Sequence, residues 1–362
     1  MNRLPLPDGI TSRMVPGING LDIHLLEAGD PADPCLLLLH GFPELAFSWR
    51  KVMGPLAALG YHVIAPDQRG YGRTVGWSDS YEGDLAPFRL FNLVRDQLGL
   101  LHALGRSEVT AVVGHDFGSP VAAWCALLRP DVFGAVALMS APFGGPPRIG
   151  RAAGRDVHAD LAALVPARQH YQWYYSLPRA NADMMGARQG LGAFLRAYYH
   201  HKSADWAGNR PYRLAGWSAA ELAKLPTYYV MELGRTMAET VAEEMPARAA
   251  DWLTDDELAV YEAEYARTGF QGGLQWYRCR TTGRFEAELE LFGGRAIPVP
   301  ACFIAGAQDW GIQQSPGALE AMAGTACGDF RFTELIEGAG HWVQQEQPAA
   351  VVAALRRFLA GL

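Results

Sequence analysis

The sequence has no run of lysine and arginine, no CxxC pair and no apolar stretch of bilayer length. Each absence removes a class of function. A nucleic-acid or acidic-membrane partner calls for a concentrated basic surface, whereas this chain carries a formal charge of −7 with its basic residues dispersed. A small-molecule partner is expected instead. The five cysteines (35, 125, 279, 302 and 327) are an odd number, so they imply no disulfide framework and read as buried free thiols of a reducing compartment. The opening MNRLPLPDGI lacks the apolar core of a secretion signal, and the longest apolar runs, such as 35–39, are far too short to span a bilayer. No membrane insertion is expected, and the protein reads as soluble and cytoplasmic. No His, Cys and carboxylate cluster with metal-ligand spacing is visible either, so no metal is expected.

What is present is material for a large core. A chain of 362 residues that is 49% hydrophobic suits one large domain with an insertion, or two smaller domains. Strand-length apolar runs recur at 22–27, 35–39, 62–65, 109–113 and 135–139, with helical spacing between them at 45–59 and 87–104. That alternation is the signature of βαβ units in a parallel sheet. The pattern breaks at APFGGPPRIG (141–150), with three prolines and three glycines. Beyond it the chain is rich in Ala, Tyr, Trp and charged residues, with helix-like stretches at 156–164, 219–224, 235–244 and 255–268. Strand runs return at 301–305 and 330–336, and an amphipathic helix is predicted at 348–359. The expected organisation is therefore an α/β fold with a mostly parallel central sheet flanked by helices. It spans 1–142 and 297–362, split by a mostly α-helical cap over 143–296.

One turn carries the chemistry. VGHDFGS (113–119) ends an apolar run and starts a helix, which forces its tip residue, Asp116, into a strained conformation. Gly114 and Gly118 on either side remove the Cβ atoms that would collide with the neighbouring strand and helix. The helix N-terminus favours an ionised carboxylate there, though an ordinary helix-capping aspartate would look the same in isolation. An aspartate with an unperturbed pKa of about 4 needs no base to become a nucleophile. His341, in the Gly-rich EGAGHW loop after the last strand, is then free for another task and is better placed than His170 or His200. As a base it needs an orienting acid. Asp309, at the carboxyl end of the strand at 301–305, supplies one, where ligands bind in open α/β sheets; the competing reading is a turn former. The chain order Asp116, Asp309, His341 is nucleophile, acid, base.

With these residues in place the chain resembles the α/β-hydrolase fold, and within it the soluble-type epoxide hydrolases, over essentially its whole length. His40-Gly41-Phe42-Pro43-Glu44 matches the HGxP motif, Asp67-Gln68-Arg69-Gly70-Tyr71-Gly72 matches the DxRGYG loop, and VGHDFGS matches the Asp-nucleophile elbow. The resemblance implies a cis bond before Pro43 and an oxyanion hole made by the backbone N–H groups of Phe42 and Phe117. It also implies two cap tyrosines that donate to the epoxide oxygen. The motif matches are Tyr171 in YQWYY and Tyr277 in GLQWYR. With 14 tyrosines in the chain, packing is the alternative for each, and Tyr174 and Tyr175 rival Tyr171. Tyr175 stands where the family usually has Phe, Gln275 where it has Asn, and Phe117 where many relatives have Trp.

The implied activity is conversion of an epoxide and water to a vicinal diol through an ester on Asp116, hydrolysed by water that His341 and Asp309 activate. No cofactor is implied. Trp173, Trp276 and Tyr198 are expected to line the substrate pocket, and the long cap suits a deeper tunnel or a homodimer contact. Haloalkane dehalogenases share the Asp nucleophile but hold the halide with side-chain N–H donors, and both loop positions are Phe here, Phe42 and Phe117. For the haloacid alternative, the related fluoroacetate dehalogenases carry an arginine after the nucleophile to bind the substrate carboxylate, and Phe117 and Pro120 offer nothing comparable. Serine-type ester hydrolysis is disfavoured because Ser119 lies outside the elbow. A non-catalytic binding protein of this fold should have lost a member of the set, and none is missing.

Overall fold

The computed structural model describes residues 3–150 and 156–362. Met1 and Asn2 of the N-terminal segment, and residues 151–155 within the expected cap, lie outside the described residues.

The apolar runs become strands because they are buried on both faces. Every residue of β3 (Cys35–Leu39), β4 (His62–Pro66), β5 (Ala111–His115) and β6 (Val136–Met139) is buried. That is why the runs read as continuous rather than alternating. Two strands precede them, β1 (Ile10–Ile18) and β2 (Leu21–Ala28). After β6 the chain forms helices with one short two-stranded antiparallel sheet, β7 (Arg168–His170) and β8 (Val230–Glu232), then returns as β9 (Ile297–Gly306) and β10 (Cys327–Ile336). The large sheet has the order β1-β2-β4-β3-β5-β6-β9-β10. It is antiparallel at β1/β2 and β2/β4 and parallel elsewhere. The last helix, Pro348–Leu359, buries Val351, Ala354, Leu355 and Phe358, the i, i+3, i+4, i+7 stripe of a helix lying on a sheet.

Differences from the sequence expectation are local. The strand predicted at 109–113 is Ala111–His115, so it runs directly into Asp116. The helix predicted at 45–59 is a 3₁₀ turn, Ala46–Trp49, followed by Arg50–Ala57. Those at 219–224 and 235–244 shorten to Ala219–Leu222 and Met237–Ala242, while the one at 255–268 is observed as Asp255–Thr268. Thr236 and Thr254 fix the starts of the last two through reciprocal capping boxes with Glu239 and Glu257. Helices absent from the sequence expectation include Tyr171–Tyr175, Leu191–Lys202 and Gln271–Thr281.

The segment between β6 and β9 covers the loops at the carboxyl ends of the parallel strands. Tyr199 and Tyr265 donate their hydroxyls to the carbonyls of Pro43 and Glu44 after β3, at 2.8 and 3.2 Å. The Trp276 indole donates to the Arg69 carbonyl after β4 at 2.9 Å. Arg50 and Arg73 form ion pairs with Glu257 and Glu264 across the same boundary, at 2.8 and 2.7 Å. These bonds hold the segment over the carboxyl ends of the strands, where the candidate residues gather. Among the described residues no helix is long and apolar enough to cross a membrane.

Candidate active site

β5 ends at His115, the helix Gly118–Leu128 follows almost at once, and Asp116 at the tip has φ +50°. A Cβ on Gly114 would come within 2.2 Å of the Gly118 carbonyl oxygen, and one on Gly118 within 2.2 Å of the Leu39 carbonyl oxygen. The turn is possible only with glycine at both positions. The Phe42–Pro43 peptide is cis, and the Phe42 N–H donates to Asp116 Oδ1 at 2.9 Å.

His341 follows β10 and is held at its backbone, where its N–H donates to the Lys202 carbonyl at 2.9 Å. Its Nδ1 is 3.1 Å from both carboxylate oxygens of Asp309. Its Nε2 is 3.2 Å from Asp116 Oδ2 but makes no hydrogen bond among the described residues. Asp309, after β9, also accepts the Gly311 N–H at 2.6 Å. Burial alone would raise the pKa of both aspartates. The His341 ring opposes it at each, joined by Lys202 and His115 at Asp116 and by the Gly311 N–H and Ser140 at Asp309, and together they hold both carboxyls below their ordinary value. Both are therefore ionised at neutral pH, the state a carboxylate nucleophile and an orienting acid require.

In front of Asp116 lies a cavity of about 980 Å³ whose lining includes Phe117, Tyr171, Trp173, Trp276 and Tyr277. Tyr171 starts its helix after β7, and Tyr277 projects from the helix Gln271–Thr281 with its ring 5.8 Å from that of Tyr171. Burial pushes both phenols above the ordinary tyrosine value, and the Asp116 charge adds to this. They stay protonated and able to donate. The other two tyrosines of YQWYY point elsewhere: Tyr174 donates to Asp183 at 3.1 Å and Tyr175 to the Tyr198 hydroxyl at 3.1 Å. Tyr198, expected in the pocket wall, is not part of this lining; it is buried against Phe194 and Trp342 and takes the Tyr175 bond.

The position of Tyr277 depends on a glycine pair at the start of its helix. A Cβ on Gly272 would lie 2.2 Å from the Gly70 carbonyl oxygen, and one on Gly273 under 3 Å from the Phe42 and Tyr71 rings. The helix thus sits backbone to backbone on the DQRGYG loop.

Three charged groups near the site were not found by sequence reasoning. Glu44 is fully buried and accepts from His115 Nδ1 at 2.6 Å, from Gln344 at 2.9 Å and from Gln345 at 3.2 Å. His115 Nε2 donates to the His341 carbonyl at 2.7 Å, so this pair braces the histidine loop from beneath. Burial opposes both charges, yet each partner sustains the other: Glu44 is lowered by His115 and His115 raised by Glu44. The third group is Lys202, whose carbonyl carries the His341 N–H. The available signal was adjacency alone, Glu44 beside HGFP and His115 beside Asp116. Among the described residues, no group of three or more His, Cys, Asp or Glu is placed to hold a metal ion.

Comparison with known proteins agrees with this geometry. The family model described as alpha/beta hydrolase fold matches residues 34–348. The chain is 35% identical to epoxide hydrolase A of Mycobacterium tuberculosis, covering 97% of this chain and 98% of that protein. It is 34% identical to epoxide hydrolase B of the same organism, covering 95% and 96%. Among solved structures, an epoxide hydrolase from an endophytic Streptomyces superposes with a TM-score of 0.80 at 32% identity, over 98% of this chain and 96% of that one. The strand order, the aspartate elbow and these full-length likenesses lead to one assignment: the chain belongs to the alpha/beta hydrolase fold family, among its epoxide hydrolases.

Proposed function

We propose that this epoxide hydrolase acts through a covalent ester on Asp116. A carboxylate oxygen of Asp116 attacks an epoxide carbon while Tyr171 and Tyr277 donate to the ring oxygen. The carbon–oxygen bond breaks, and the alkoxide takes a proton from one phenol. Water then gives a proton to His341 Nε2 as its oxygen adds to the Asp116 carboxyl carbon, with the Phe42 and Phe117 N–H groups on the oxyanion. The ester bond breaks, the departing alkoxide takes the proton from His341, and the proton left on the Asp116 carboxyl returns to the phenolate. The sum is epoxide plus water to vicinal diol. Asp309 orients His341 and sustains its charge while it holds the proton.

The observation that carries this reading is convergence: Asp116, Tyr171 and Tyr277 line one cavity, and the open Nε2 of His341 stands behind the carboxylate. The lining aromatics, Trp173 and Trp276 among them, suit an apolar epoxide. Four of the five cysteines are buried and all are free, which suits the reducing cytoplasm. The test is Asp116→Asn and Asp116→Ala assayed for diol formation from a styrene-type epoxide. Both should lose at least about 10³-fold in kcat, as for loss of a nucleophile. Wild-type rates in both would reject the reading.

A further inference from the structure

Lys202 is a buried cation with no counter-ion in contact. It ends the helix Leu191–Lys202, is 2% exposed, and its Nζ has no hydrogen bond or ion pair among the described residues. Four rings enclose the ammonium instead: Tyr229 at 4.9 Å, Tyr198 and Trp342 at 5.3 Å each, and Tyr228 at 5.9 Å. Ring faces attract a cation without neutralising it, so its field reaches beyond the cage. Burial lowers the Lys202 pKa, and Asp116, Asp309 and Glu44 act against that shift without reversing it.

Those three carboxylates come from the loops after β5, β9 and β3. The other titratable groups nearby are His201 beside Lys202 on its own helix, the His115–Glu44 pair, Glu346, which accepts the N–H groups of Ala204, Gly340 and Trp342 and is pushed up to about 7 by burial, and His341, whose ring lies 4.7 Å from the Trp342 wall of the cage and 5.2 Å from His115. In the resting site these three carboxylates and Glu346 face Lys202 and the His115 ring, which donates from both nitrogens. Once Asp116 has become a neutral ester, one of the negative charges facing Lys202 is gone. A further proton on His341 would then be opposed by Lys202. Without Lys202, the carboxylates left in the alkylated site would favour a proton on His341, the form that cannot take one from water.

We propose that Lys202 is a positioning residue acting through charge: from its aromatic cage it keeps His341 unprotonated in the alkylated enzyme, and so sets the pH range of ester hydrolysis. The inference rests on Asp116 as nucleophile and His341 as base.

The test is Lys202→Met, which removes the charge but keeps length and an apolar surface that suits the rings, with Lys202→Gln as a second variant. Single-turnover kinetics separate ester formation from ester hydrolysis across pH 5 to 9. The acidic limb of hydrolysis should move up by about one pH unit, from the loss of one unit charge several ångströms away. Hydrolysis should be about tenfold slower below the midpoint, recover at high pH, and leave ester formation within about twofold. In parallel, the His341 ring is titrated by NMR in Asp116→Asn, the uncharged stand-in for the ester, with and without Lys202→Met; its midpoint should shift in the same direction. Unmoved midpoints overturn the inference. So does failure of both variants to fold, which would assign Lys202 to the stability of the lid. If Asp116→Asn turned over epoxide at the wild-type rate, the nucleophile reading itself would fall; if it is inactive and the midpoints ignore Lys202, only this inference falls.

Discussion

His341 and Asp116 face each other across 3.2 Å, Nε2 to Oδ2, without a hydrogen bond. Asp309 holds the far side of the imidazole. A histidine engaged at Nδ1 and open at Nε2 is aimed at whatever lies beside the carboxylate. In the proposed ester, the Nε2 side would offer a place for the water that cleaves it.

The first prediction concerns pH. Burial opposes ionisation of Asp116, but the His341 ring together with Lys202 and His115 holds the carboxyl below its ordinary value. A nucleophile with a depressed pKa is fully ionised above its unperturbed range near 4. Ester formation, followed by the quenching of Trp276 or Trp173 fluorescence in a single turnover, should therefore be flat from about pH 5 to pH 8. A limb near pH 4 to 5 in that step would contradict the assignment.

Loss of either phenol should act on one step only. Tyr171→Phe or Tyr277→Phe is expected to slow ester formation by about 10²–10³-fold, the range for losing one donor to a developing oxyanion. Hydrolysis of an ester once formed should change little. Because burial raises both phenols, ester formation in the native enzyme should show no alkaline limb below about pH 10.

Gly272→Ala tests how the Tyr277 helix is seated. Its methyl would lie 2.2 Å from the Gly70 carbonyl oxygen, a backbone atom that cannot swing aside. The expected cost is about 1–3 kcal/mol in stability, as for overpacking, together with slower ester formation as Tyr277 is displaced. Chemical denaturation and single-turnover kinetics measure the two.

How much of this was legible in the sequence follows from burial. Cys35–Leu39 could be read as a strand because all five residues are buried. β1 could not, since only Ile10, Val15 and Ile18 of its nine residues are buried and Pro16-Gly17 interrupts the pattern. The elbow was readable because Gly114 and Gly118 are demanded by backbone contacts that only glycine permits. The helix Gln271–Thr281 was hidden by the opposite effect: Gly272-Gly273 discourages a helix by propensity, and tertiary contact with Gly70 overrides it. Tyr198 was expected in the pocket because an aromatic in a lid suits either a wall or a core, and only the fold shows it beside Lys202. Glu44, His115 and Lys202 have no periodicity or spacing to mark them, and their meaning arises from contacts between distant segments.

Acid sensitivity should come from carboxylates outside the cavity lining. Burial would raise Asp67, but His24, then His40 and the Arg73 N–H, bring it down to about 2. Burial likewise opposes the charge on Glu27, and His62 and Arg13 bring it down to about 2. Groups with depressed folded values contribute stability that is complete above their unfolded values and is lost as pH falls through the folded ones. The melting temperature should therefore hold down to about pH 4.5 and fall steeply between there and pH 2. Asp67→Asn should weaken this dependence and lower stability by about 3 kcal/mol at pH 7, since it disturbs a buried pair. Thermal scans across pH check both.

The central claim is that Asp116 becomes alkylated. His341→Gln removes the base without touching the nucleophile, so the variant incubated with a styrene-type epoxide should accumulate an adduct equal to the mass of one epoxide. Digestion and tandem mass spectrometry should place that mass on Asp116 in the peptide that includes VGHDFGS. An adduct on any other residue, or steady diol release with no adduct, would contradict the account.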